Sequence, residues 1–231
     1  MVVFLVVAVV VALFVALAVH AYKKNQARLA AIQSLCLSND WQYHPGDPYG
    51  LPSRWPGTPF DQGYARRAFN VVTGEVKGRP MIAFDYQYKT DSRDSEGRTT
   101  TTTHNVAVYA LGMPCALPEL HLAPESVFGR LGTALGMQDI ELESEDFNRK
   151  YRVRCPNPKL ATDILTPRTM EMLIAAPKMR VRFAGGDVLC FDSGCISAAE
   201  IINRTTVLAN LLDGVPAFVW KDYGLGDRSM A

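Results

Sequence analysis

No Asp, Glu, Lys or Arg occurs before Lys23, and residues 2–19, VVFLVVAVVVALFVALAV, form one unbroken apolar run. A helix rises about 1.5 Å per residue, so such a run spans roughly 27 Å, close to the ~30 Å hydrocarbon core of a bilayer. His20, Ala21 and Tyr22 extend it to the interface, where a tyrosine is suited. The β-preference of valine does not count against a helix, because a lone span in lipid must satisfy its backbone internally. The run therefore reads as a transmembrane helix over residues 1–22, its apolar stretch bounded by Val2 and Val19. A cleavable signal peptide would need a basic n-region, and only Met1 stands there, although Val19-His20-Ala21 offers a weak cleavage site. The reading is an uncleaved single-pass anchor in the cell membrane.

Lys23, Lys24 and Arg28 are the basic residues flanking that span. Only the α-amino group lies on its other side, so the positive-inside rule places the rest of the chain in the cytoplasm, with an extracytoplasmic domain as the alternative. The membrane lipid bilayer is the first expected partner. A protein partner within it is the second, because Ala8, Ala12 and Ala16 recur at every fourth position, a spacing that lets helices approach closely.

Beyond the run, acidic and basic residues nearly cancel, leaving a formal net charge of +1. That balance gives no clustered basic footprint, so nucleic acid is not an expected partner. The five cysteines, Cys36, Cys115, Cys155, Cys190 and Cys195, are odd in number and irregularly spaced. They imply free thiols rather than a disulfide framework. A Cys190–Cys195 bridge across the intervening turn is the alternative outside the cytoplasm.

Hydrophobic periodicity divides the remainder into a juxtamembrane helix or linker at 23–40, an α+β domain at 41–223 and a flexible tail at 224–231. Leu29, Ile32, Leu35 and Cys36 recur at helical spacing over 22–37. A short strand at 41–43 precedes a stretch with five prolines and three glycines between His44 and Pro59, where regular structure is not expected. Strands follow at 65–72, 81–89 and 100–111, an antiparallel meander in which Ile82, Phe84, Tyr86 and Tyr88 share one face and Asp85 and Gln87 the other. The charged tip at 91–98 reads as exposed, and the threonine run 99–103 as exposed strand. Arg66 and Arg67 point to opposite faces, with one of them expected to meet a carboxylate.

A strand at 117–122 leads to a helix over 124–135, with Val127, Phe128, Leu131 and Leu135 as its stripe and Gly136 as its end. Strands at 138–143 and 151–155 alternate in charge, and pairing them would bring an acidic face against a basic one. Short helices at 158–164 and 167–175 follow, the second opened by Thr166-Pro167. Segments 179–183 and 187–192 form a hairpin around Gly185-Gly186. Ser197 with Glu200 is a capping box for a last helix whose stripe is Ala198, Ile201, Ile202, Thr205, Leu208, Leu211 and Leu212, ended by Gly214. The expected architecture is α+β: a mainly antiparallel sheet packed with several short helices, behind one N-terminal transmembrane helix.

The chemistry-bearing residues form no known catalytic motif. There is no P-loop, dinucleotide fingerprint, zincin motif or nucleophile elbow. His20, His44, His104 and His121 never fall at metal-ligand spacing, so neither metal nor cofactor is expected. Glu141, Glu143, Glu145 and Asp146 read as a solvated, ion-paired surface. Arg149, Lys150, Arg152 and Arg154 form a basic run that pairs across strands or meets anionic headgroups. The loop residues Trp41, His44, Asp47, Tyr49 and Trp55 could border a pocket, and Trp41, His44, Asp47 and Trp55 are the candidate pocket residues.

The stretch FNRKYRV at 147–153, followed by Ala161, ILTPR at 164–168 and Met170-Glu171, resembles an uncharacterised bacterial family, mostly actinobacterial and membrane-anchored. PFDQGYARRAFNVVTGEVKGRP, FDYQY and ELESEDFN fit the same pattern, so the resemblance covers about 41–220. It implies one continuous domain behind an N-terminal hydrophobic segment and brings no activity, cofactor or catalytic residue with it. The reading that follows is a noncatalytic, membrane-tethered interaction or regulatory module. An enzyme acting on a lipid or envelope precursor, and a structural subunit of a membrane complex, are the alternatives.

Overall fold

The computed structural model describes residues 2–124 and 138–225. The helix expected over 124–135 and most of the expected tail lie outside the described residues. The chain begins with one continuous helix, α1 (Val2–Asn39), which carries the apolar run and then continues without a break through the polar residues that follow it. Its side chains from Phe4 to Val19 are exposed wherever they are described. Its last three turns turn inward: Ile32 and Cys36 are buried, and Leu29 and Leu35 half-buried. The stripe expected from periodicity is thus the packing face.

Among the described residues, no helix is long and apolar enough to cross a membrane. The transmembrane, single-pass reading and the cell-membrane location with a cytoplasmic domain are corrected accordingly. The helix does not stop where the apolar run stops. Its C-terminal part is an element of the folded domain, and Arg28, one of the three expected membrane-flanking cations, is bound into that domain rather than left to a headgroup layer. Lys23 and Lys24 are exposed.

Among the described residues, nine strands form one antiparallel sheet: β1 (Gln42–His44), β2 (Tyr64–Val76), β3 (Arg79–Arg93), β4 (Thr99–Gly112), β5 (Leu120–Pro124), β6 (Gln138–Ile140), β7 (Tyr151–Cys155), β8 (Arg180–Ala184) and β9 (Asp187–Ser193). Their order across the sheet is β1-β2-β3-β4-β9-β8-β5-β7-β6. The meander β2-β3-β4 is present as expected, and its β3–β4 ladder continues to Arg93 opposite Thr99. The expected pairing of the 138–143 and 151–155 segments also holds: Asp139 lies opposite Arg154, and the two ion-pair at 2.6 Å. Glu141 and Glu143 lie beyond the end of β6 and take no part in that ladder.

Both faces of the sheet are covered. On one face lie α1, α2 (Glu145–Lys150), α3 (Pro158–Ile164), α4 (Pro167–Ala175), α5 (Ala198–Asp213) and the short α6 (Ala217–Trp220). Their contacts are apolar: Ile32 and Cys36 from α1, Phe147 from α2, Leu160 and Ile164 from α3, Leu173 from α4, and Ile201, Leu208 and Leu211 from α5. Helix starts follow sequence chemistry. Ser144, Asn157, Thr166 and Ser197 each accept a backbone N–H from the first turn they precede. Ile202 leaves the expected α5 stripe and is 41% exposed.

The other face is covered by the proline-rich loop. Leu51, Trp55 and Phe60 are buried against Phe84, Tyr86, Val108 and Phe191. Trp55 stacks on Phe84 at 6.1 Å between centroids, and Phe60 meets Tyr86 edge-on at 5.1 Å. A short 3-10 turn at Leu51–Ser53 is the loop's regular structure. Burying three large apolar side chains stabilises the loop by about 1.5–3 kcal/mol each at most. This makes it a third layer rather than a dangling connection. Arg66 donates to the Phe60 carbonyl at 2.6 Å, and Arg67 to the Gln87 side chain at 3.0 Å.

Cys36, Cys155 and Cys190 are buried, and Cys195 is exposed.

Candidate functional site

Where the loop meets the turn end of the β2–β3 hairpin, the loop layer leaves a cavity of about 230 Å³. Its floor is apolar, built by Pro80, Met81, Ile82 and Ala110, with Gly74 and Thr73 from β2 beside them. Tyr49, Arg54 and Asp187 supply the polar groups. An apolar hollow with a few fixed polar groups at its rim is the usual form of a small-ligand site.

The polar groups are held in place by one another. Arg54 Nη2 lies 3.1 Å from Asp187 Oδ2, and the Trp55 indole N–H donates to the same oxygen at 3.0 Å. The Arg54 guanidinium also sits 4.9 Å from the centre of the Trp55 ring. A planar cation laid on an aromatic face and tied to a carboxylate has little rotamer freedom left to lose on binding. Arg54 keeps nearly half its side chain exposed, while Asp187 is mostly covered. The cation therefore faces the mouth and the anion anchors it from behind.

Of the five loop residues expected from sequence to border a pocket, Tyr49 lines this cavity, and Trp41, His44, Asp47 and Trp55 do not. Each of these four touches a residue that does. Trp41 lies over Gly74 and donates its indole N–H to the Glu75 carbonyl at 3.2 Å. His44 Nε2 lies 3.4 Å from the Tyr49 hydroxyl, with the two rings edge-on at 5.8 Å. Asp47 accepts the backbone N–H groups of Tyr49 at 2.9 Å and Leu51 at 2.8 Å, closing the turn that carries Tyr49. Trp55 holds Asp187. The lining groups Arg54 and Asp187 were missed because they are far apart in sequence and carry no motif. A guanidinium beside a tryptophan in the loop was the one available signal.

A larger hollow of about 390 Å³ lies between the β2–β3 turn, α4 and α5, lined by Lys77, Arg168, Thr169, Met172, Asn210, Asp213 and Gly214. Its charges serve the fold. Lys77 Nζ bonds Asn210 Oδ1 at 2.7 Å and Asp213 Oδ2 at 2.9 Å, and Arg79 meets Asp213 at 2.8 Å. The two cations tie the hairpin tip to the C-terminal end of α5, where positive charge complements the helix dipole. The Lys77 ammonium, first, and Arg79 hold the Asp213 carboxyl below its usual range.

The fold has a known counterpart. The crystal structure of the mycobacterial trehalose monomycolate transport factor A matches this chain with a TM-score of 0.59 at 16% identity. The match covers 81% of this chain and 96% of that one. At this identity the likeness establishes a shared fold. No family model and no curated sequence matches the chain.

Among the described residues, no group of three or more His, Cys, Asp or Glu side chains is placed to hold a metal ion. Near the far edge of the loop, Arg182 joins Glu119 at 2.5 Å and the Thr58 carbonyl at 3.2 Å, while His121 lies 3.0 Å from the same Glu119 carboxylate. This cluster fastens the loop to β5 and β8. The basic run also acts structurally: Lys150 Nζ reaches the carbonyls of Leu173, Ile174 and Ala176 at the end of α4.

Proposed function

We propose that this chain is a noncatalytic interaction module that serves a transport assembly of the cell envelope, and that its ligand or partner enters the cavity between the loop and the β2–β3 pair. The observation that carries the reading is the fold shared, over most of both chains, with a protein described as a trehalose monomycolate transport factor. The cavity supports binding over catalysis, because its two charged groups are committed to each other and to Trp55 rather than to a nucleophile and base. The resemblance of the 147–171 signature to an uncharacterised actinobacterial family belongs to the same proposal. A partner protein of the assembly is the expected occupant.

The test is quantitative affinity capture with the intact chain and two cavity variants. Arg54→Ala removes the exposed cation, and Thr73→Phe fills the hollow. A partner bound at the cavity should be recovered roughly tenfold less with each variant, the loss expected when a charged hydrogen bond is deleted or a pocket is blocked. Equal recovery with both variants would remove the cavity from the reading.

A further inference from the structure

Asp85 is a carboxylate that is 1% exposed, on the helix-covered face of β3. A buried carboxylate is costly unless it is both paired and hydrogen-bonded. Here three chain segments bond it directly and a fourth orients one of those partners. Arg28 of α1 approaches Oδ2 at 3.0 Å, and the Asn70 amide donates to the same oxygen at 2.7 Å. The backbone N–H of Ile196 donates to Oδ1 at 2.7 Å. Tyr43 of β1 donates to Asn70 Oδ1 at 2.7 Å, which fixes the amide's orientation.

Two local features serve this centre. Asn70 has a left-handed backbone, φ 50°, at a bulge where the β2–β3 register shifts between Phe69 and Val72. Bulges re-aim side chains, and here the bulge accompanies an amide turned onto Asp85. Arg28 is prearranged by Asn25, whose side-chain oxygen accepts from Nε at 3.2 Å and Nη2 at 3.0 Å. Its remaining nitrogen, Nη1, bonds both Asp85 and the Ile196 carbonyl, the latter at 2.7 Å. Arg28 and Asp85 therefore hold Ile196 from both its polar groups. The next residue, Ser197, is the cap that starts α5.

We propose that Arg28 and Asp85 form a lock that couples the seating of α1 to the 194–197 loop and the first turn of α5. The C-terminal part of α1 leaves the sheet only when that loop opens with it. The lock gives the exposed apolar part of α1 a fixed direction relative to the sheet. It also makes any pull on that part felt at α5. Removing one partner leaves the other charge without compensation, whereas removing both charges does not.

Hydrogen–deuterium exchange on the full chain tests this. Arg28→Ala should accelerate exchange roughly tenfold or more in residues 25–39 and also in 194–201, with β7 unchanged as the sign of an intact fold. Ile32→Ala, which loosens α1 without touching the charges, should accelerate 25–39 alone. Arg28→Gln combined with Asp85→Asn should recover most of the protection that Arg28→Ala loses. Acceleration confined to 25–39 in Arg28→Ala would overturn the coupling, and so would a paired variant no better protected than Arg28→Ala. If Arg28→Ala fails to fold, the paired variant decides: it must fold and protect both segments.

Discussion

Gly74 is required because Trp41 occupies the place its side chain would take. A Cβ there would lie 2.2 Å from Trp41 Cδ1, well inside contact distance. Gly74→Ala must therefore push the indole away from β2. A cost of about 1–3 kcal/mol is expected, with a change in tryptophan fluorescence, measurable by urea denaturation. Asp187 sets the second expectation at this scale. Its Oδ2 accepts from Trp55, which is 4% exposed, so Asp187→Ala leaves a buried indole N–H without an acceptor. About 1–3 kcal/mol should be lost. Asp187→Asn keeps an oxygen in place and should lose less. Equal losses for the two variants would show that the hydrogen bond is not what Asp187 supplies. The sequence reading singled out Trp41, His44, Asp47 and Trp55 because aromatic and turn-forming residues mark an anchored loop, and they stand behind the cavity lining rather than in it. It could not find Arg54 and Asp187, which 132 intervening residues separate and only the folded sheet brings together.

Elements were legible where local chemistry decides them. The strand at 151–155 and the helices at 158–164 and 167–175 match their expected bounds, because alternation, caps and prolines act within a few residues. Helix α2 was not expected, although Ser144 caps it, Glu145 and Asp146 open it and Arg149 and Lys150 close it. At six residues it has too little periodicity to stand out from the charged stretch around it. Lys150 shows what that stretch does. Its ammonium donates to the carbonyls at the end of α4, so Lys150→Met should destabilise the chain by about 1–2 kcal/mol, seen as a lower urea midpoint.

Strand β5 carries a pH dependence. His121 faces Glu119, just before its own strand, Arg182 on β8 and Arg154 on β7, with Asp139 of β6 paired to Arg154. Burial, first, and the two arginines push its pKa below the ordinary 6.5, and the Glu119 carboxylate only partly opposes them. The folded state then binds a proton less readily than the unfolded chain. Stability is complete above about pH 6.5 and falls as the pH drops from there through the folded-state value. His121→Gln should flatten this slope in urea midpoints measured between about pH 7 and pH 5. An unchanged slope would assign the acid sensitivity to other groups.

For the whole molecule, the question is where the folded unit begins. Periodicity placed Asp85 on the face of β3 opposite four large apolar residues, but a period of two cannot say that both faces of a sheet are covered. It likewise gave α1 an apolar stripe without saying what the stripe meets. The strand order is also illegible locally, since β9 beside β4 and β8 beside β5 are contacts made across long stretches of chain. In the structure the two ambiguities resolve together: α1 covers the face on which Asp85 lies. Ile32 is fully buried in the main core, and Arg28 neutralises the carboxylate. A chain beginning at residue 41 loses both. It exposes the slot of Ile32, worth about 1.5–3 kcal/mol, and leaves a buried charge uncompensated, a change that typically costs about 3–5 kcal/mol. Against a total stability of about 5–15 kcal/mol, such a chain should be marginal or unfolded. A chain beginning at residue 23 retains both contacts and should unfold cooperatively at a clearly higher urea concentration. Introducing Asp85→Asn into the shorter chain should recover part of the difference, because it removes the charge but not the empty slot. Identical midpoints for chains beginning at 23 and 41 would mean that the inner turns of α1 lie on the domain without supporting it.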